Sequence, residues 1–156
     1  MATEIERKFL VADGRWRDAA TGSKGLRQGY LARTGATTIR VRITDDAAAM
    51  ITIKSKGTAT TRAEYEYSIP VEEARELLDL AQGVPVEKRR HLVPGDPGTW
   101  EVDVFEGAQA GLILAEMELE DEASEIVRPD WLGREVTGDP RYSNVTLAGL
   151  DPVDGA

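Results

Sequence analysis

Cysteine is absent from the 156-residue chain, and histidine occurs once, as His91. The first absence excludes a disulfide framework and any thiolate metal site. The second argues against a histidine-rich zinc centre and against catalytic triads that draw on more than one imidazole. No run approaches the roughly 20 apolar residues needed to span a bilayer, and the acidic N-terminus has no apolar signal core, so the expected compartment is the cytoplasm. Aromatic residues make up only 6% of the chain, and no aromatic or amide cluster offers a pocket for a nucleobase. Basic residues are outnumbered: 19 Lys and Arg against 28 Asp and Glu give a net charge of −9. That balance removes generic nucleic-acid binders and argues against a membrane surface as partner. With no linker, low-complexity tract or solenoid repeat, the length predicts one domain over residues 1–150 and a short tail over 151–156. Such a domain is large enough to bury a core without staples.

What the chain does have is charge at a spacing of two. Glu4, Glu6 and Lys8 alternate with Ile5 and Arg7. In a strand, that spacing puts the three on one face. The pattern recurs at Arg40/Arg42, Lys54/Lys56, Glu64/Glu66, Lys88/Arg90, Glu101/Asp103 and Glu116/Glu118/Glu120. An ordinary half-exposed sheet also alternates charged with apolar residues. Here, however, the strands are sorted by sign, and paired like charges repel unless a ligand neutralises them. Clustered carboxylates are hard oxygen ligands suited to magnesium or manganese. Paired Arg and Lys suit phosphate oxygens. The set holds seven cations and nine acids, and its net of −2 would repel a polyanion until one or two divalent cations bind.

Strand patterns are predicted at 4–11, 26–33, 37–44, 48–56, 62–69, 84–93, 99–104 and 112–120. Turn residues separate them, with Pro94 to Gly98 reading as a hairpin loop. Helices are predicted at 71–82, at 122–127 before Pro129, and after Asp139-Pro140, with Asp139 as N-cap. The expected architecture is mainly β, an α+β eight-stranded antiparallel closed barrel flanked by a few helices.

The order of these strands is specific. Glu4-Ile5-Glu6-Arg7-Lys8 resembles the E-x-E-x-K signature of the CYTH superfamily, the triphosphate tunnel metalloenzymes. Downstream, Leu26 to Leu31, Ile39 to Arg42, Thr52 to Gly57, Arg62 to Glu66, Val86 to Arg90, Glu101 to Phe105, Ala115 to Leu119 and Glu135 to Asn144 resemble the family's later segments in order. The resemblance implies a barrel whose charged strand faces point into a tunnel, with the apolar alternates turned outward against helices. It also implies a metal-dependent hydrolase cleaving tripolyphosphate, or another small molecule bearing a triphosphate, to pyrophosphate and phosphate.

On that reading Glu4, Glu6, Glu116 and Glu118, with Asp103 as a further candidate, hold Mg2+ or Mn2+. Lys8, Arg40, Arg42, Lys54, Lys56, Lys88 and Arg90 grip the substrate. Glu4, Glu6, Lys8, Arg42 and Lys54 are expected closest to the chemistry. Glu64 and Glu66 orient cations beside the substrate, and Tyr30 either binds a phosphate or packs. Tyr142, Ser143 and Asn144 either close a tunnel mouth or cap the last helix. A metal-activated water is the expected nucleophile, with a lysine of lowered pKa as the alternative base. His91 turns outward by strand alternation, and Trp16, Trp100 and Trp131 are expected to pack. The rival readings are a nucleoside or thiamine triphosphatase or class IV adenylate cyclase of the same superfamily, a non-catalytic polyphosphate-binding module, and a structural barrel with a solvated charged face.

Overall fold

The computed structural model describes residues 3–150, and the side chain of Lys56 is outside the described set. The predicted tail 151–156 also lies outside it. In chain order the elements are β1 (Thr3–Val11), α1 (Trp16–Ala19), β2 (Gly22–Thr34), β3 (Thr37–Thr44), β4 (Ala48–Gly57), β5 (Thr61–Ile69), α2 (Val71–Leu78), β6 (Gln82–Pro94), β7 (Thr99–Glu106), β8 (Ile113–Glu118), β9 (Leu132–Glu135) and α3 (Asn144–Leu147). Every pairing is antiparallel, in the order β5-β4-β3-β2-β6-β7-β8-β1. Closure comes from a short β1–β5 ladder in which Thr3, Glu4 and Ile5 face Ala63, Arg62 and Thr61. Beyond that ladder β1 turns its second edge to β9, through Phe9 and Val11. The result is a closed eight-stranded barrel with one added strand, the expected architecture.

Alternation sends the charges inward and the apolar residues outward. One outer cluster holds Phe9, Val93, Trp100, Val102, Ala115 and Met117 under Trp16 of α1 and Trp131. Phe9 and Trp131 meet Trp100 edge-on at 5.5 and 5.7 Å. The three tryptophans therefore pack, as expected. A second outer cluster puts Ala74 and Leu78 of α2 onto Val41, Ile43 and Ala49 of β3 and β4. The third lies inside the barrel. Tyr30, Val86, Phe105 and Leu114 point inward at one end and meet Val136, Val145 and Ala148 of the C-terminal segment. That segment forms an apolar floor under the polar interior.

Four sequence expectations are corrected. Residues 122–127 are not helical: the Asp121 carboxylate takes the Ala123 N–H, and Glu122 is drawn to Thr58, Thr60 and Thr61. Side-chain to backbone bonds of this kind compete with a short helix, which has little propagation energy to resist them. The 71–82 helix stops at Leu78, after which Leu80 and Ala81 close i→i−3 turns onto Leu77 and Leu78, and Gln82 begins β6. The C-terminal helix divides in two. Asp139 caps a 3-10 turn at Pro140–Tyr142, and Ser143 caps α3 through Thr146 N. Finally, β8 ends at Glu118, so Glu120 lies past the strand and is exposed.

Candidate active site

Seven of the eight barrel strands deliver one or two charged side chains to one chamber. A cavity of about 160 Å³ is lined by Glu4 and Glu6 of β1, Arg40 and Arg42 of β3, Lys54 of β4, Glu64 and Glu66 of β5, Arg90 of β6, Glu101 of β7, Glu116 and Glu118 of β8, and Asn144. Its wall has seven acids and four cations, a net of −3. A second cavity of about 60 Å³ shares Glu6, Lys54 and Asn144 with it and reaches Lys8, Tyr30, Arg62 and the 136–139 turn. Its charges are Glu6 and Asp139 against Lys8, Lys54 and Arg62. The polar interior therefore passes from an acid-rich chamber to a cation-rich one.

Cross-strand register explains which charges pair. Glu101 stands opposite Glu116, an arrangement that repels on its own. Arg90 bridges the two, at 3.0 Å from Glu101 and 3.9 Å from Glu116. Arg90 also makes a two-pronged bond to Asp103, Nε to Oδ1 at 2.8 Å and Nη2 to Oδ2 at 2.9 Å. Burial opposes that guanidinium's charge, but Asp103 and its neighbours hold its pKa well above the ordinary value. Lys88 Nζ lies 2.6 Å from Asp103 Oδ2, an ionic contact off the axis of a hydrogen bond. Both side chains are fully buried. Burial raises the Asp103 pKa, and Lys88 and Arg90 override it to a net lowering. Burial pushes Lys88 down to about 8. Lys54 lies 2.9 Å from Glu4 and 3.5 Å from Glu64. Burial works against its charge, yet Glu6 and Glu4 hold its pKa above the usual lysine value. Lys8 contacts Glu116 at 3.7 Å and donates to the Tyr142 carbonyl at 3.0 Å.

Two groups stand apart from these pairs. Arg42 is in no ion pair among the described residues. Burial, Arg40 and Arg90 push its pKa down to about 9, and its Nε donates to Gln28 Oε1 at 2.8 Å. Glu118 stands opposite Glu6, and neither is in an ion pair among the described residues. Burial and the carboxylates of Glu4, Glu101, Glu6 and Glu66 raise its pKa. As placed, no three carboxylates among the described residues converge into a ready ligand cage. The donor chemistry nevertheless fits a hard divalent cation, because the repulsion at Glu6 and Glu118 is what such an ion would relieve.

The structure thus brings Glu4, Glu6, Lys8, Arg40, Arg42, Lys54, Glu64, Glu66, Arg90, Glu116 and Glu118 together along the passage. Lys88 and Asp103 lie behind the wall, fully buried on Arg90. Tyr30 is 5% exposed and packs in the apolar floor at the edge of the second cavity. Asn144 borders both cavities, whereas Ser143 serves as the α3 cap. His91 is turned outward against Trp16. Sequence reasoning missed Gln28 and Thr52, both buried among the charges. Their signal was parity: Gln28 alternates with Leu26 and Tyr30, and Thr52 with Lys54.

A charged, barrel-enclosed passage of this kind agrees with the comparisons to known proteins. The CYTH domain family model matches residues 2–148, and the chain belongs to that family. It is 45% identical over 148 residues to an inorganic triphosphatase of Acetivibrio thermocellus, covering 94% of each chain. It is 41% identical over 151 residues to an inorganic triphosphatase of Nitrosomonas europaea, covering 94% of this chain and 97% of that one. The crystal structure of the inorganic triphosphatase NE1496 superposes with a TM-score of 0.70 at 38% identity, over 97% of this chain and 98% of that one.

Proposed function

We propose that this protein is a divalent-metal-dependent inorganic triphosphatase that hydrolyses tripolyphosphate to pyrophosphate and phosphate. The observation that carries this reading is the sorted wall of one cavity, with Glu4, Glu6, Glu116 and Glu118 facing Arg40, Arg42, Arg90 and Lys54. A pure polyphosphate binder needs the cations but not the four carboxylates. Magnesium or manganese, held by those glutamates, supplies neutralisation of phosphate oxygens and acidification of a water. Asp103 is assigned a different part, because Arg90 and Lys88 occupy its oxygens: it holds Arg90 in the wall.

The remaining steps belong to the protein's cations. Arg40, Arg42, Lys54, Arg90 and Lys8 grip the three phosphates, with Lys56 proposed beside them. Water oxygen bonds to the terminal phosphorus as the P–O bond to the leaving pyrophosphate breaks. The same cations stabilise negative charge on the oxygens of both fragments. Lys54, whose proton is held more tightly than usual, is suited to charge stabilisation rather than to proton abstraction. Lys88, although depressed, is buried behind Asp103 and lines neither cavity of the passage. The proton that the attacking water gives up accordingly goes to a carboxylate of the acid-rich chamber rather than to a lysine. Glu64 and Glu66 orient Lys54 and Thr52, at 3.5 and 3.3 Å. The workplace we propose is the cytoplasm; no helix among the described residues is long and apolar enough to cross a membrane.

The test is phosphate release from tripolyphosphate with magnesium, manganese or chelator, run beside Glu4→Gln and Arg42→Ala. Metal-dependent release that each substitution lowers by about 100-fold or more is expected, the usual scale for losing a group that stabilises developing charge. Parallel assays with ATP and thiamine triphosphate rank the organic substrates. Tight binding of tripolyphosphate without release under any metal would overturn the hydrolase.

A further inference from the structure

Three arginines face the chamber, and their partners differ in kind. Arg90 is surrounded by Asp103, Glu101 and Glu116. Arg42 and Arg40 are held by uncharged groups, Arg42 Nε by Gln28 Oε1 at 2.8 Å and Arg40 Nη2 by Thr52 Oγ1 at 3.4 Å. Gln28 lies directly across the β2–β3 ladder from Arg42 and is 0% exposed. Turning Oε1 to Arg42 leaves Gln28 Nε2 buried with no partner among the described residues. A buried donor without an acceptor costs folding free energy, so this position is not arranged for stability alone.

We propose that Gln28 is a positioning residue, aiming the Arg42 guanidinium at a bound polyanion while leaving its positive charge uncompensated. The amide has a physical advantage over either alternative. An apolar side chain of similar length would leave Arg42 Nε without its acceptor and free several rotamers of a long side chain, blurring its aim. A carboxylate would hold the guanidinium more firmly through a charge-assisted bond. It would also neutralise the charge that the phosphates are to meet. The neutral acceptor orients Arg42 without competing for it. The inference rests on the polyanion-binding part of the proposed function.

Calorimetric binding of a methylene-bridged, non-hydrolysable tripolyphosphate analogue to the whole protein with magnesium, where binding is read without turnover, tests it on Gln28→Met and Gln28→Glu alongside ligand-free melting. Gln28→Glu is expected to weaken Kd by tenfold or more with no loss of Tm, and in turnover to raise KM more than it lowers kcat. Gln28→Met is expected to weaken Kd several-fold, and that effect should shrink below twofold in an Arg42→Ala background, since it acts through Arg42. Wild-type affinity in Gln28→Glu would overturn the inference. So would an undiminished Gln28→Met effect without Arg42, or no binding of the magnesium-loaded analogue by the wild type. Phosphate release by the wild type with magnesium is read separately. If the analogue binds but tripolyphosphate is not cleaved, the triphosphatase reading fails and the affinities still decide the role of Gln28.

Discussion

Asp103 and Lys88 are fully buried charges that line neither cavity of the site and are spent on each other and on Arg90. The carboxylate has two cations on it, Lys88 Nζ at 2.6 Å and Arg90 Nε at 2.8 Å, and neither it nor Lys88 has measurable side-chain exposure. Breaking a buried pair from one side leaves the other charge uncompensated, at a cost of about 3–5 kcal/mol. Asp103→Asn is therefore expected to lose roughly that much stability by urea denaturation; a loss under about 1 kcal/mol would sink the assignment of Asp103 as structural anchor. A second outcome concerns pH. The Lys88 pKa in the fold is about 8, against 10.5 as its ordinary value. Between those values the unfolded chain binds the extra proton, so stability contributed by this group rises with pH from about 8 toward 10.5 and is lower below 8. Tm measured across that window should show the rise in the wild type and lose it in Lys88→Met.

At the scale of elements, α2 is seated by a missing side chain. A Cβ on Gly29 of β2 would come within 2.8 Å of Ala81 Cβ and 3.2 Å of Leu78 Cδ2. Gly29→Ala should push the end of α2 off the barrel and cost about 1–3 kcal/mol, the usual penalty of overpacking, read as a lower midpoint in denaturant. An unchanged midpoint would mean that α2 moves freely on the sheet. This helix was legible in the sequence because Ala74, Leu77 and Leu78 repeat at helical spacing. The eight barrel strands were legible because alternation sorts charged from apolar residues. The strand β9 and the helix α1 were not. Leu132-Gly133-Arg134-Glu135 is too short to show a period, and its pairing with β1 is supported by contacts distant in sequence, among them Arg7 to Glu135 at 2.8 Å and the Val136 N–H to the Lys8 carbonyl at 2.8 Å. The apolar floor was equally hidden. Tyr30, Val86, Phe105 and Leu114 sit on charged strand faces, and only the three-dimensional return of Val136, Val145 and Ala148 reveals what they pack against. Which candidate residues share the chamber was readable from parity. Which of them are spent on one another, as Asp103 is on Lys88 and Arg90, depends on cross-strand register, here of β6 against β7, and was not.

The molecule as a whole carries a net charge of −9 and lines its main cavity with seven acids against four cations. A fold that confines like charges stores repulsion in the empty state, and ligands that bind only the folded form release it. Magnesium with tripolyphosphate at 100 times the dissociation constant adds about 2.7 kcal/mol, which for a chain of this size is a rise in Tm of roughly 5–10 °C. Neither component alone should reach that value: a polyanion meets an acid-rich chamber without the metal, and the metal lacks phosphate oxygens without the polyanion. Glu118 separates this account from simple ligand stabilisation. Its pKa is raised by burial and by Glu4, Glu101, Glu6 and Glu66, so its charged form opposes folding at neutral pH. Glu118→Gln should raise the ligand-free Tm slightly and shrink the increment from magnesium and tripolyphosphate, because the variant has less repulsion to relieve and one oxygen ligand fewer. Calorimetric scans of both proteins with each component and with both would test this. An equal increment in wild type and variant would show that Glu118 takes no part in the metal site, and an additive response to the two components would show that metal and phosphate do not depend on each other in this chamber.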